Sequence, residues 1–347
     1  MGRKARIGLT RDFFDENGRF VMPGPGLKLL DEMPNVAYKM FPEFLREVTP
    51  EQIKGFDMVA SFRPLWTKQS IAGNNQLLSI HRGGVGYERL DVPALTNVGI
   101  MLFITPRAVR RPMAVVYLTF ILALSTRLFI KDKLIREGRW AEQHYYQGYG
   151  LVGQTLGAIG VGNIGHEMYL LAKPFGMKHI AYDPYVPPED VVDVDVKLVD
   201  LDTVLTESDF LTVACPLNET TRLLIGEKEL KKMKKTAFLI NAARGPIVDE
   251  TALIKALQEG WLRGAGLDVF EQEPISSDNP LLKMDNVILS PHALAHTGQT
   301  FSTMWEIIAE QITKITRGEI PETLVNREVL DRLEFQTKLK KFLEVTK

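Results

Sequence analysis

Three polar residues stand where a sheet of alternating strands and helices would gather them. Arg244 lies in the run Asn241-Ala242-Ala243-Arg244-Gly245-Pro246-Ile247-Val248-Asp249-Glu250, just beyond a short apolar segment. Glu273 closes Gly266-Leu267-Asp268-Val269-Phe270-Glu271-Gln272-Glu273-Pro274, and His292 ends Ser290-Pro291-His292, each again just beyond an apolar segment. In an open α/β sheet, ligands bind outside the C-terminal ends of the strands. Beside a hydride carrier, an arginine, an acid and a histidine at that edge suit oxidation of a hydroxyl or reduction of a ketone. Taken singly, Arg244 also fits a helix cap, Glu273 a solvated loop acid and His292 a turn residue.

The hydride carrier is suggested upstream. Residues Thr155 to Ile159 form a short apolar run, and Gly160, Gly162 and Gly165 follow as G-x-G-x-x-G. Ile164 to Phe175 has helical spacing, a second apolar run covers His179 to Tyr182, and Asp183 ends it. Gly160 permits a tight turn, Gly162 lets the backbone approach a pyrophosphate, and Gly165 lets helix and strand pack closely. Free N–H groups at the helix start attract phosphate charge. Asp183 follows Gly165 by 18 residues, where an acid accepts hydrogen bonds from a ribose. It favours NAD over NADP, because a carboxylate repels a 2′-phosphate and no Arg or Lys follows before Lys197. The bland reading of the motif is a tight turn with no ligand.

These residues need a frame. Short apolar runs at Ala5–Thr10, Met58–Ser61, Leu77–His81, Ile100–Phe103, Thr155–Ile159 and His179–Tyr182 read as strands, as do Lys197–Val199, Phe210–Ala214, Thr236–Asn241, Gly264–Val269 and Val287–Ser290. Helical segments at 200–207, 226–234 and 249–260 alternate with the later strands, which predicts a parallel sheet covered on both faces. Pro112 is expected to start a helix that runs to about Glu137. About 100 residues of separate βα structure precede the nucleotide turn. The helical stretch Gln299–Arg317 is expected to return to that first part, and the charged tail 331–347 carries no assigned chemistry. The expected division is residues 1–105 with 300–347 against 106–299.

Composition sets the outer bounds. The 347 residues are 45% hydrophobic and 24% charged, and 42 basic against 43 acidic side chains leave a net charge of −1. That balance argues against a nucleic-acid or anionic-membrane partner. The start lacks an apolar signal region, and the apolar stretch Met113–Leu124 is shorter than a membrane span, so it reads as a buried helix. Cys215 is the only cysteine, which excludes an internal disulfide and a zinc cluster and fits a reducing cytoplasm. It reads as a small buried residue or as a nucleophile.

The chain resembles the D-isomer-specific 2-hydroxyacid dehydrogenase family from about Ala5 to Leu330. The resemblance is most specific at Gly160–Gly165, Asn241–Asp249, Asp268–Pro274 and Pro291-His292. Weaker family-like segments are Gly83-Gly84-Val85-Gly86-Tyr87, Arg136-Glu137-Gly138-Arg139-Trp140, and Pro216-Leu217 with Thr221. It implies two Rossmann-like domains with doubly wound parallel sheets, an active site in the interdomain cleft, and a homodimer held by the long helix and the arm after it. It implies that Arg244 grips the substrate carboxylate and carbonyl. Glu273 would orient His292 and favour its charged form. His292 would exchange the proton with the substrate oxygen while the nicotinamide carries the hydride. Backbone N–H groups around Gly84, Val85 and Gly86 would hold the carboxylate. Asn163 and Ile164 would hold the pyrophosphate, Asp183 the ribose, and Asp268 the nicotinamide carboxamide. Pro216, Thr221 and Ala243 would complete the NAD site. The implied substrate is a small 2-keto or 2-hydroxy acid, and no metal is implied.

Alternatives stay open within that frame. Glu271 competes with Glu273, but the family acid immediately precedes proline. His296 competes with His292, but the family histidine follows proline. Leu294 replaces a smaller residue and would narrow the pocket or point away. Arg107, Arg110 and Arg111 would bind a second anionic group of a substrate, or form a solvated or dimer-contact surface. His81 and Arg82 carry the same ambiguity. Within the class, 3-phosphoglycerate dehydrogenase and hydroxypyruvate/glyoxylate reductase are the rivals. Glu273 stands against a formate dehydrogenase, which has Gln there. From another class, the rival is an NAD-sensing scaffold resembling the C-terminal-binding co-repressors.

Overall fold

The computed structural model describes residues 2–346. The chain divides into two compact units, one of Met1–Val109 with His296–Lys347 and the other of Arg110–Ala295. Among the described residues of the first unit, β1 (Ala5–Leu9), α1 (Leu27–Asp31), β2 (Val36–Met40), α2 (Pro50–Ile53), β3 (Met58–Ser61), β4 (Ser79–Arg82), α3 (Val92–Asn97) and β5 (Met101–Phe103) follow in order. Their strands form a sheet in the order β2-β1-β3-β4-β5, parallel throughout. Strand β2 has no counterpart in the reading of the sequence. It is an edge strand with alternating burial, so Lys39 faces outward and the segment lacks the continuous apolar run of a central parallel strand.

Helix α4 (Pro106–Thr126) and α5 (Leu128–Arg136) correct the expectation of one helix from Pro112 to Glu137. Pro106, not Pro112, opens α4, where a missing N–H costs nothing. Pro112 sits inside, and the helix passes through it. The break comes at Arg127, which is left-handed at φ 56°. At 21 residues, α4 has the length and composition of a membrane span. Its Ala114, Tyr117, Phe120 and Ile121 nonetheless pack with Leu156, Ala158 and Ile240 in the core of the second unit. The Tyr117 hydroxyl donates to the Val213 carbonyl at 2.5 Å.

The second unit continues with β6 (Thr155–Ile159), α6 (Asn163–Ala172), β7 (Lys178–Tyr182), β8 (Val196–Leu198), α7 (Leu201–Glu207), β9 (Phe210–Val213), α8 (Glu227–Lys232), β10 (Phe238–Asn241), α9 (Glu250–Gln258), β11 (Gly264–Leu267) and β12 (Val287–Leu289). Its strand order is β12-β11-β10-β9-β6-β7-β8, again parallel. Strands β9, β10 and β11 are buried along their whole length, as parallel strands covered on both faces must be. The chain runs outward from β6 through β7 to β8 and then returns to β9. The β6–β9 boundary is therefore the topological switch point, where a crevice opens at the C-terminal strand ends. Helices α10 (Gly298–Thr316) and α11 (Leu333–Thr346) belong to the first unit, where Trp305, Ile308, Ile312, Phe335 and Phe342 join its core.

Candidate active site

The glycine turn after β6 occupies that switch point. Gly160 is left-handed at φ 95°, and a Cβ there would meet the Cys215 amide nitrogen at 2.7 Å. Gly165 would bring a Cβ to 2.7 Å from the Gly160 carbonyl, so α6 lies tight against the turn. At Gly162 the space is open, with nothing within 4 Å of a built Cβ. Gly162 is also the N-cap of α6, and no side chain caps the helix, so the start at Asn163 and Ile164 faces outward with its N–H groups available. Asp183 follows β7, and its carboxylate accepts from the Val161 and Tyr185 amides, each at 3.0 Å. Open space over a glycine, an uncapped helix start and an acid at the next strand end fit a dinucleotide.

Two strands from β6, the loop after β10 is built around the buried amide of Asn241. That side chain donates to the Arg244 carbonyl at 2.9 Å and accepts from the Ala243 amide at 3.1 Å. Gly245 then packs on the next loop so closely that a Cβ would lie 1.9 Å from the Phe270 carbonyl oxygen. In that loop the Phe270 amide donates to Glu273 Oε1 at 3.3 Å. Glu273 receives His292 Nδ1 at 3.1 Å on Oε1 and 2.9 Å on Oε2. With Nδ1 turned to the carboxylate, Nε2 is the nitrogen left to exchange a proton. His292 is left-handed at φ 53°, a conformation that costs a side-chain-bearing residue about 1–3 kcal/mol. Buried Asp268 holds the turn, accepting from the Ala293 amide at 3.1 Å and the Leu294 amide at 3.4 Å. Asn241 and Asp268 are thus positioning residues. The sequence reading quoted Asn241 without a role and reserved Asp268 for the carboxamide.

Other residues settle into different surroundings. The Gly84 N–H donates to Thr105 Oγ1 at 2.6 Å. Among the described residues the Val85, Gly86 and Tyr87 N–H groups of that loop have no acceptor. Arg110 and Arg111 both bind buried Glu167 on α6, at 2.8 and 2.6 Å, and the paired guanidiniums hold that carboxyl below its usual range. Arg107 pairs with Glu310 at 2.7 Å. Of the alternatives left open for Arg110 and Arg111, these pairings weigh against the anion site, since one carboxylate engages both. His81 is fully buried between Ser79 and Gln311, and burial pushes its imidazole down to about 4. It is a neutral core histidine. Burial also raises the Cys215 thiol to about 11, which leaves it a packed residue and no nucleophile. Thr221 donates to the Pro216 carbonyl at 2.6 Å and closes its own turn. Glu271 is exposed, Leu294 is 36% exposed, and His296 packs its ring against Phe62 and Phe301 of the first unit. Among the described residues no group of His, Cys, Asp or Glu is placed to hold a metal ion.

A parallel sheet with a glycine turn at its switch point, and an arginine, a glutamate and a histidine beyond neighbouring strands, defines a nicotinamide-dependent oxidoreductase. Residues 118–293 match the model of the D-isomer specific 2-hydroxyacid dehydrogenase NAD binding domain. Over 249 residues the chain is 43% identical to a glyoxylate reductase of Korarchaeum cryptofilum, covering 71% of this chain and 75% of that one. It is 39% identical over 302 residues to a D-3-phosphoglycerate dehydrogenase of Methanocaldococcus jannaschii, covering 86% of this chain and 57% of that one. A solved structure of D-lactate dehydrogenase from Aquifex aeolicus, complexed with NAD and lactic acid, superposes with a TM-score of 0.79 at 25% identity. That match covers 92% of this chain and 99% of the other. The chain belongs to the D-isomer specific 2-hydroxyacid dehydrogenase family. It is an NAD-dependent oxidoreductase acting on the CH–OH group of 2-hydroxy acids.

Proposed function

We propose that this enzyme reduces a small 2-keto acid, with glyoxylate the first candidate, and that Arg244, Glu273 and His292 carry the reaction. The observation that carries the substrate assignment is the 43% identity to a glyoxylate reductase. The pairing of Arg110 and Arg111 with Glu167 supports it, because it withdraws two cations that a larger anionic substrate would use. Gly162, Asn163, Ile164 and Asp183, with Pro216, Thr221 and Ala243, would hold NADH, which would supply the hydride when bound. Arg244 binds the substrate carboxylate as a planar fork. His292 donates its Nε2 proton to the carbonyl oxygen as C2 accepts the hydride, and in the oxidation it takes the proton back. Glu273, on Nδ1, fixes the orientation of the ring.

A phosphorylated hydroxy acid is the second reading. It is favoured by the Arg82 guanidinium, which lies so close over the Gly84 backbone that a Cβ there would meet Nη1 at 1.9 Å. A homodimer in the cytoplasm completes the proposal. Its support is the line of exposed apolar side chains on α4, α5 and the following arm, among them Val115, Leu122, Phe129, Ile135, Trp140 and Val152.

The test is NADH absorbance against a panel of glyoxylate, hydroxypyruvate, pyruvate, branched and aromatic keto acids and phosphohydroxypyruvate, with Arg244→Ala as control. Turnover fastest on glyoxylate and lost in Arg244→Ala supports the assignment. Preference for the phosphorylated acid selects the second reading. Tight NADH binding with no turnover on any compound overturns both in favour of a scaffold.

A further inference from the structure

We propose that Glu250 is a positioning residue for the Glu273–His292 pair, bracing the loop that carries Glu273 from the helix that follows Arg244. The inference rests on the proposed roles of Glu273 and His292. Glu250 is the first residue of α9, whose start is capped by Asp249 accepting from the Ala252 amide at 2.9 Å. Glu250 therefore does not serve as the cap, and its two oxygens are turned to the neighbouring loop. Oε2 accepts from the Glu271 amide at 3.0 Å, and Oε1 accepts from Asn279 Nδ2 at 2.8 Å. One carboxylate thus spans residues 271 and 279, the two ends of the segment that contains Glu273. Asn279 is itself fixed, because its Oδ1 accepts from the Leu281 amide at 3.0 Å and its own amide donates to the Ser276 carbonyl at 3.1 Å.

The brace acts together with two other contacts. Gly245 presses on the Phe270 backbone, and the Phe270 amide reaches Glu273 Oε1. The loop is therefore pinned at 270, 271 and 279, and Glu273 sits between the pins. Hydrogen bonds to an ionised acceptor are about twice as strong as neutral ones. They matter here because Glu250, Glu271, Gln272, Ser276 and Asn279 line an open cleft, and within the loop between Phe270 and Leu281 only Ile275 packs against the apolar core. Arg244 lies six residues before Glu250 in the same turn-to-helix segment. Glu250 thereby couples the residue proposed to grip the carboxylate to the loop that orients the proton donor. It touches neither substrate nor NAD in this role.

The experiment compares Glu250→Ala, Glu250→Gln and Glu273→Gln with the parent in keto-acid reduction, with kcat and KM separated and active sites counted by NADH titration by fluorescence. Glu250→Ala is expected to lower kcat by about tenfold to a hundredfold, the cost of a misplacement near 1 Å, with NADH affinity unchanged. The loss should fall on kcat per NADH-binding site, with the keto-acid KM within about twofold of the parent's. Glu250→Gln keeps a carbonyl acceptor for the Glu271 amide and should recover most of the rate. A purely structural role would lower thermal stability and the active fraction but leave kcat per NADH-binding site at the parent's value, and that result overturns the proposal. So does an unchanged kcat in Glu250→Ala while Glu273→Gln is impaired. If Glu273→Gln itself reduces the keto acid at the parent rate, the functional reading fails, and the inference with it.

Discussion

Gly245→Ala should disable the enzyme without touching a reacting group. Gly245 is not among the left-handed glycines, so alanine can adopt its backbone conformation, and the effect is steric alone. The added Cβ would lie 1.9 Å from the Phe270 carbonyl oxygen, 2.0 Å from its carbon and 2.5 Å from the Glu271 nitrogen, where ordinary contact begins at 3.4 Å. The two loops must therefore part by about 1.5 Å at that point, and backbone cannot rotate away as a flexible side chain would. One loop carries Arg244 and the other Glu273, so the separation falls directly on the distance between the proposed carboxylate clamp and the histidine's partner. A misplacement near 1 Å costs on the order of 10²-fold in rate. Overpacking of this kind costs about 1–3 kcal/mol of stability. The assay is steady-state NADH oxidation with glyoxylate, with NADH binding by fluorescence and thermal melting in parallel. The expected pattern is a kcat fall near a hundredfold, a melting temperature a few degrees lower and NADH affinity unchanged. A variant within about twofold of the parent in kcat would refute the idea that this contact sets the spacing of the site.

Three further outcomes follow from other parts of the molecule. Gly160→Ala should lose NADH binding and about 1–3 kcal/mol of stability, because φ 95° and the Cys215 amide at 2.7 Å leave a side chain no place, as chemical denaturation will show. Asp183→Ala should weaken NADH binding by roughly ten- to a hundredfold, the worth of a hydrogen bond to a charged group, and narrow the preference over NADPH, both read by titration. His81 ties stability to acid pH: its folded value of about 4 lies below the ordinary 6.5, so its contribution is intact above 6.5 and is lost as pH falls through that window. The loss amounts to roughly 3 kcal/mol below the lower value. His81→Asn should be less stable at neutral pH yet flatter between pH 6.5 and 4 in urea midpoints, and an equally steep decline in the variant would count against it.

The architecture was largely readable because parallel strands buried on both faces are unbroken apolar runs, and Gly160, Gly162 and Gly165 mark where one of them turns. Strand β2 escaped because an edge strand alternates and carries Lys39. Pro112 misled because a helix already opened by Pro106 accommodates a second proline, whereas Arg127 breaks it with no proline or glycine to announce the break. In the site, Arg244, Glu273 and His292 were legible by residue type and by their place after strands. What holds them was not. Asp268 and Glu250 act through hydrogen bonds to other segments, and such partners follow from tertiary packing, whereas Asn241 works within its own turn, on Ala243 and Arg244, in a strand-end position that its residue type alone does not single out. The charges of Arg110 and Arg111 looked available for the same reason, since Glu167, on the far side of the glycine turn, gives no local sign of meeting them.

The central claim is that His292, held by Glu273, delivers the proton to a keto acid. It is tested most directly by the single-turnover rate of NADH oxidation in His292→Ala with saturating glyoxylate and independently measured NADH affinity. The account predicts a rate lower by about 10²–10⁴-fold, the usual worth of a positioned general acid, with NADH bound as tightly as in the parent. A rate close to the parent's with the cofactor fully bound would contradict it.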